Sequence, residues 1–158
     1  MKTIAGLRVW QPLAGEALRA KRVPSVVEVL ANRAEHLTTL DLNNTRRLHH
    51  LGDACRLTLC AARWDPEAAL PAIRRRIAQI RELTQDRFFA NYAAQHYQSV
   101  LPQLVMVGVD AGANDLLDEY FGWFRELKTD GLSSQNIYSL FQPTARYAQR
   151  DDVRSVLP

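Results

Sequence analysis

A helix start signal followed by a regular apolar seam constrains the fold of this chain more than any other feature. Asp65 is followed by Pro66 and Glu67. This order combines a capping carboxylate, a proline suited to the first helical position and an acid that complements the helix dipole. Apolar residues then recur at steps of three and four, at Leu70, Ile73, Ile77, Ile80 and Leu83 or Thr84. The pattern predicts a helix with one narrow apolar stripe, which is typical of antiparallel helical bundles.

Helical spacing also precedes this seam. Pro24 is placed to begin a helix that continues to about His36, because proline fits the first helical turn. Asp41 or Asn44 is expected to cap the next helix, which continues to about Arg63. Both segments carry apolar residues on one face, as a buried helix requires.

Three further features organise the second half of the chain. A helix is expected from about Asp86, and Pro102 predicts a kink within it. A turn at 108–112 should separate it from another helix that ends near Gly131, where glycine favours a stop. Two shorter helical pieces are expected after residue 133, and residues 151–158 are expected to fray.

The patterns together predict an all-α protein. Strand-like alternation, repeats and glycine-serine linkers are absent from the 158 residues, and this length is typical of one domain. We therefore expect residues 1–158 to form a single-domain bundle of about six to eight helices. Residues 1–22 fit either a short strand or a short helix.

The sequence favours a cytoplasmic protein with reduced cysteines. Its longest apolar run, 100–109, is shorter than a membrane span and is interrupted by Pro102, Gln103 and Gly108. The N-terminal residues reach Arg8 before an apolar signal region can form. Cys55 and Cys60 are five positions apart on one expected helix and point in different directions, so we expect free, packed thiols.

Motifs that would indicate catalysis are absent. The sequence has no phosphate-binding glycine loop, nucleophile elbow, zinc-type cysteine pair or His-Glu-x-x-His motif. Adjacent His49 and His50 diverge by about 100° on a helix and cannot face one ion, so we expect one exposed and one partly packed histidine. No catalytic residue, metal or cofactor is predicted, although an enzyme without a local motif stays an alternative.

Basic residues concentrate in the first half of the chain. Residues 1–87 hold 15 lysines and arginines against 9 acids, and residues 88–158 hold 5 against 8. The run Arg74, Arg75 and Arg76, with Arg81, is a candidate nucleic-acid face, since arginine neutralises phosphates. Three successive arginines spread around a helix, however, and pairing with nearby acids explains them equally well. Nucleic-acid binding is therefore the alternative function.

The acidic and aromatic segment at 115–124 is the candidate protein-binding surface. Its members are Asp115, Asp118, Glu119, Tyr120 and Trp123. Trp123 would act as an anchor if it lies at the margin between core and solvent, beside the carboxylates. The competing interpretation is that Trp123 packs against a neighbouring helix.

Residues 57–124 resemble the all-helical immunity proteins that guard bacteria against polymorphic nuclease toxins. The resemblance lies in a helix ending in Leu59-Cys60-Ala61-Ala62-Arg63, in the Leu70 helix, and in the segment 97–110 with its sequence YQSVLPQLVMVGVD. The chain departs from the family where it has Cys60-Ala61-Ala62 in place of a Ser-Ala-Gly-like ending, and in the proline at 102.

The resemblance implies a non-enzymatic protein that binds a cognate toxin and blocks it, with carboxylates contacting the toxin. The broader expectation is a helical protein-binding module without cofactors, of which an immunity protein or a secretion chaperone is an example. Its partner would be a toxin or effector protein, and we expect no membrane association.

Overall fold

The computed structural model describes residues 23–39, 44–85 and 87–129, and these contain six α-helices and no β-strand. The helices are α1 (Val23–Thr39), α2 (Asn44–Ala62), α3 (Pro66–Gln85), α4 (Arg87–Tyr97), α5 (Leu101–Asp110) and α6 (Asp115–Thr129). The all-α class predicted from the sequence is confirmed. The predictions for residues 1–22 and for those after 129 lie outside the described residues.

The chain divides by its internal contacts into two compact units, with the boundary between Arg76 and Ile77. This boundary falls inside α3. The first unit contains α1, α2 and the beginning of α3, and the second contains the rest of α3 with α4, α5 and α6. The single-domain organisation expected from the sequence stays a prediction.

In the first unit, α1 packs against α2 through their apolar faces. The buried side chains of α1 follow the helical repeat, at Val27, Leu30, Ala34 and Leu37. Those of α2 include Leu48, Leu51, Cys55, Thr58 and Ala62. The Thr58 hydroxyl is satisfied within the helix, where it donates to the Ala54 carbonyl at 2.9 Å. The apolar stripes predicted for both helices are therefore buried.

The start of α3 has the predicted cap. The Ala68 amide donates to Asp65 Oδ1 at 2.9 Å, which satisfies one of the amides that a helix start leaves unpaired. The helix continues through Pro71, since a proline this close to the first turn removes few backbone bonds. The predicted seam is buried at Ile73, Ile77, Ile80 and Thr84.

Pro102 lies in the first turn of a new helix, so the kink that the sequence predicts at this residue is wrong. The chain forms a turn at 98–100, where the Val100 amide donates to the Tyr97 carbonyl at 3.0 Å. Pro102 then lies in the first turn of α5. Its missing N–H is unneeded there, whereas inside a continuous helix it would leave a carbonyl unpaired. Two helices therefore replace the one expected from Asp86.

The turn predicted at 108–112 begins later, because α5 continues to Asp110. Gly112 has a φ of 90°, a left-handed conformation that glycine adopts without steric cost. Its amide donates to the Val109 carbonyl at 2.9 Å, and the Ala113 amide donates to the Gly108 carbonyl at 3.0 Å. These two bonds form a Schellman C-cap, from which the chain enters α6, and α6 packs against α5.

None of the helices within the described residues combines the length and the apolar character needed to cross a bilayer.

Candidate functional site

The helix α6 separates an apolar face from an acidic one. Its buried residues are Leu116, Leu117, Tyr120, Phe121 and Trp123. Its exposed residues include Asp115, Asp118, Glu119, Arg125 and Glu126. Apolar side chains three and four positions apart lie on one side of a helix, so burying them turns the carboxylates toward solvent. The acidic part of the sequence-predicted surface is thus exposed.

Four positions of α6 form one longitudinal row, which we call the acidic row: Asp115, Glu119, Gly122 and Glu126. They are separated by four, three and four residues, and this spacing places them on one side of the helix over about 16 Å. Gly122 has open space where a side chain would project. The row therefore consists of carboxylates on either side of a gap without a side chain.

Arg81 of α3 lies beside this row within the second unit. Its guanidinium bonds to the Glu126 carboxylate at 2.6 Å and lies 3.8 Å from that of Glu119. These side chains are all partly exposed, so solvent weakens the pairs. Arg81 orients two carboxylates of α6 and neutralises part of their charge. Asp115 and Asp118 add further negative charge at the start of the helix.

The aromatic part of the predicted surface is buried, so Tyr120 and Trp123 are wrong as partner-binding residues, and the interpretation of Trp123 as a packed residue fits the structure better than a position at the margin. Trp123 is 3% exposed and Tyr120 is 1% exposed. Burial also raises the pKa of the Tyr120 hydroxyl far above its usual range, because the charged form would lose its hydration. Trp123 follows Leu116 by seven residues, two helical turns, and therefore belongs to the same buried face. These two residues therefore belong to the buried face and are not surface anchors.

The arginines proposed for nucleic-acid binding do not form one exposed basic face. Arg76 is 1% exposed. It donates to Glu35 Oε2 at 2.5 Å and to Thr38 Oγ1 at 3.1 Å. Arg75 is exposed but also pairs with Glu35, at 2.8 Å, and Arg74 is half-buried. Two arginines of the run thus converge on one carboxylate.

Sequence reasoning did not identify Glu35 as their partner. Burial acts to raise the pKa of Glu35, but hydrogen bonds from Arg75 and Arg76, together with their positive charges, lower it overall. Glu35 and Arg76 are separated by 41 positions, so no local spacing pairs them. The cluster joins α1 to α3 within the first unit, and its geometry is that of a structural ion pair.

The residues considered for a metal site remain dispersed. Among the residues that the structure describes, no group of three His, Cys, Asp or Glu side chains could hold a metal ion. His49 is exposed and His50 is half-buried, as the sequence predicts. Both cysteines are free. Burial raises the pKa of Cys55 to about 12, although the charges of Arg76 and Arg56 oppose this, so this thiol is a poor nucleophile.

Comparison of the chain with models of protein families, with curated proteins and with solved structures gave no match.

Proposed function

We propose that this chain is a non-enzymatic protein-binding module whose exposed α6 carboxylates bind a basic protein partner. The observation that carries the proposal is the exposure of Asp115, Asp118 and Glu119 on one helix. A surface with this charge repels nucleic acids and anionic lipid headgroups, and it attracts cationic protein surfaces. Of these three classes of partner, a protein is therefore the one that the surface favours.

The buried aromatic residues give this surface a firm base. Tyr120 and Trp123 are buried on the same helix, and Arg81 contacts Glu119 and Glu126. A carboxylate that is already partly oriented, as Glu119 is by Arg81, loses less side-chain entropy when it binds. Anchoring side chains would come from the partner, and arginine is suited to this role because it binds carboxylates bidentately.

An immunity protein that neutralises a cognate toxin, or a chaperone for a secreted effector, would use such a surface. Both would act in the bacterial cytoplasm before the toxin or effector leaves the cell. An immunity protein would abolish the activity of its partner at a one-to-one ratio. A secretion chaperone would instead bind the partner without blocking an active site.

The test begins with capture of the partner from the native host and continues with the two purified proteins. In the test variant, Asp115→Asn, Asp118→Asn and Glu119→Gln remove three negative charges from α6. In the control variant, the same number is removed from other exposed positions by Glu28→Gln, Glu67→Gln and Glu82→Gln. The test set removes two acids from the first turn of α6 and the control set removes one, Glu67, from the first turn of α3, so the folding of both variants has to be checked.

We expect the α6 variant to lower the association rate by about tenfold or more at low salt, because steering depends on local charge. The control variant should change the rate by less than about twofold, with circular dichroism showing both variants to be folded. Equal effects of the two variants would refute the assignment to α6. Capture of nucleic acid in place of protein would refute the proposed function.

A further inference from the structure

A cation of the protein itself lies against the acidic row of α6. The Arg81 guanidinium bonds to the Glu126 carboxylate at 2.6 Å and lies 3.8 Å from that of Glu119. These two glutamates are seven residues apart, so their backbone positions are separated by about 10 Å along the helix axis. One guanidinium can approach both carboxylates only if it lies between them along the helix, at the level of Gly122.

Gly122 makes room at this level of the helix. It follows Glu119 by three residues and precedes Glu126 by four, so the three residues lie on one side of α6. A side chain at this position would project into open space. Glycine therefore leaves a gap between the two carboxylates, and the cation that lies at this gap is a guanidinium.

The contacts of Arg81 are weak enough to be exchanged. Its side chain is 32% exposed, and those of Glu119 and Glu126 are 42% and 60% exposed, so water screens both pairs. The 3.8 Å separation from Glu119 also exceeds hydrogen-bond distance, so Arg81 orients this carboxylate only loosely. Breaking the contacts of Arg81 therefore costs the fold little.

We propose that Arg81 is an autoinhibitory contact, which occupies the acidic row until an arginine of the basic partner replaces it. The inference rests on the protein-binding function proposed for α6 and adds how that surface is regulated. The resident cation indicates the chemistry of its replacement, because a second guanidinium can make the same paired bonds to carboxylates. A lysine ammonium lacks this planar fork.

Competition and orientation predict opposite effects of removing Arg81. A competitor lowers the apparent affinity of the partner by the fraction of molecules in which the row is open, so its removal strengthens binding. A residue that only oriented the carboxylates would weaken binding when removed, because the side chains would then lose more entropy on binding. The direction of the change therefore separates the two roles.

The experiment measures the binding of a synthetic peptide to the full chain by nuclear magnetic resonance. The peptide contains several arginines separated by glycine and serine, and a second peptide has lysine at the same positions. Each is titrated at low salt into the isotope-labelled protein, and the amide signal of Gly122 reports binding at the acidic row. The test variant is Arg81→Gln, and Arg81→Met repeats the test with an apolar side chain. Arg125→Gln is the matched control, since it removes an exposed positive charge from α6 itself.

We expect both Arg81 variants to bind the arginine peptide about threefold to sixfold more tightly than the wild type, as removal of a weak internal competitor should. Arg125→Gln should change the affinity by less than about twofold, because it removes a screened charge without opening the row. The lysine peptide should bind more weakly than the arginine peptide to every protein. Thermal melting followed by circular dichroism checks that each variant is folded.

Three results would overturn the proposal. Weaker binding by both Arg81 variants would make Arg81 a positioning residue, and unchanged or absent binding would show that it does not compete. Equal tightening by Arg125→Gln would indicate net charge alone.

Failure of the proposed function is recognised separately, with the variant that carries Asp115→Asn, Asp118→Asn and Glu119→Gln. If this variant bound the arginine peptide as tightly as the wild type, the α6 carboxylates would not be the cation-binding surface. If it lost binding while the Arg81 variants gained none, the protein-binding function would stand and the autoinhibitory role alone would fail.

Discussion

The buried cation Arg76 allows a strong test of the structure. Removing its partner Glu35 and removing Arg76 itself should lower the free energy of unfolding by different amounts. Glu35→Ala removes the carboxylate that both Arg75 and Arg76 contact. A guanidinium that is 1% exposed would then lose the counter-charge that Glu35 supplies. Arg76→Met removes the buried charge itself, and it leaves Glu35 paired with the exposed Arg75.

The sizes of the two free-energy losses follow from how deeply Arg76 and Glu35 are buried. Removing one partner of a fully buried ion pair costs about 3 to 5 kcal/mol. The Glu35 side chain is 39% exposed, so water can partly replace it, and we expect Glu35→Ala to cost about 2 kcal/mol. Methionine fills much of the arginine volume without needing solvation, so Arg76→Met should stay within about 1 kcal/mol of the wild type.

Urea unfolding followed by circular dichroism measures both changes. Glu28→Ala is the control, since Glu28 is exposed on the same helix, and it should change the free energy of unfolding by less than about 0.5 kcal/mol. The pKa of Glu35 is lowered in the fold, so its contribution is present above the usual value of about 4.3 and is lost as pH falls through the lower folded value.

The difference in stability between the wild type and Glu35→Ala should therefore shrink in acid. The reasoning would be refuted if Arg76→Met destabilised the chain as much as Glu35→Ala. A difference that stays constant as the pH is lowered from 7 to 3 would also contradict it, because protonated Glu35 cannot compensate Arg76.

Three further predictions concern local structure. Asp65→Ala should lower the free energy of unfolding by about 1 kcal/mol in urea titrations, because the Ala68 amide loses its cap; no change would contradict the capping role. Gly122→Ala should raise it by about 0.5 to 1 kcal/mol, since a methyl group there meets open space and alanine favours helix; a loss would show a hidden clash. Cys55 is buried and its pKa is raised to about 12, so a thiol reagent at pH 8 should modify only Cys60 until urea unfolds the chain. Labelling of the folded protein should persist in Cys55→Ser and disappear in Cys60→Ser; labelling of folded Cys60→Ser would contradict the burial of Cys55.

The helices could be predicted from the sequence wherever a start signal and an apolar stripe agree. Three features of α3 depend only on nearby residues and are therefore predictable from the sequence. They are the cap at Asp65, the apolar seam and the continuation of the helix through Pro71. Pro102 was harder, because a proline in an apolar segment is compatible with either a kinked helix or the start of a new one. The turn at 98–100 settles the choice, and the sequence there gives no strong turn signal.

The burial of Trp123 was one of two interpretations that the sequence left open. The carboxylates of Glu119 and Glu126, four residues before it and three residues after it, favoured a surface position. Its spacing of seven from Leu116 and three from Tyr120, however, places it on the buried face. Position on the helix therefore outweighs the polarity of immediate neighbours, because a helix turns each residue by about 100° from the last.

The same argument applies to Arg76, where spacing predicts the location but not the partner. Arg76 follows Ile73 by three residues and precedes Ile80 by four, so it lies on the apolar face of α3, while Arg75 points elsewhere. A buried charge must be compensated, and the sequence offers many carboxylates for this. Glu35 was indistinguishable from the others until folding brought α1 beside α3. A run of arginines should accordingly be divided by helical position before any of it is assigned to nucleic acid, because successive residues point about 100° apart around the helix.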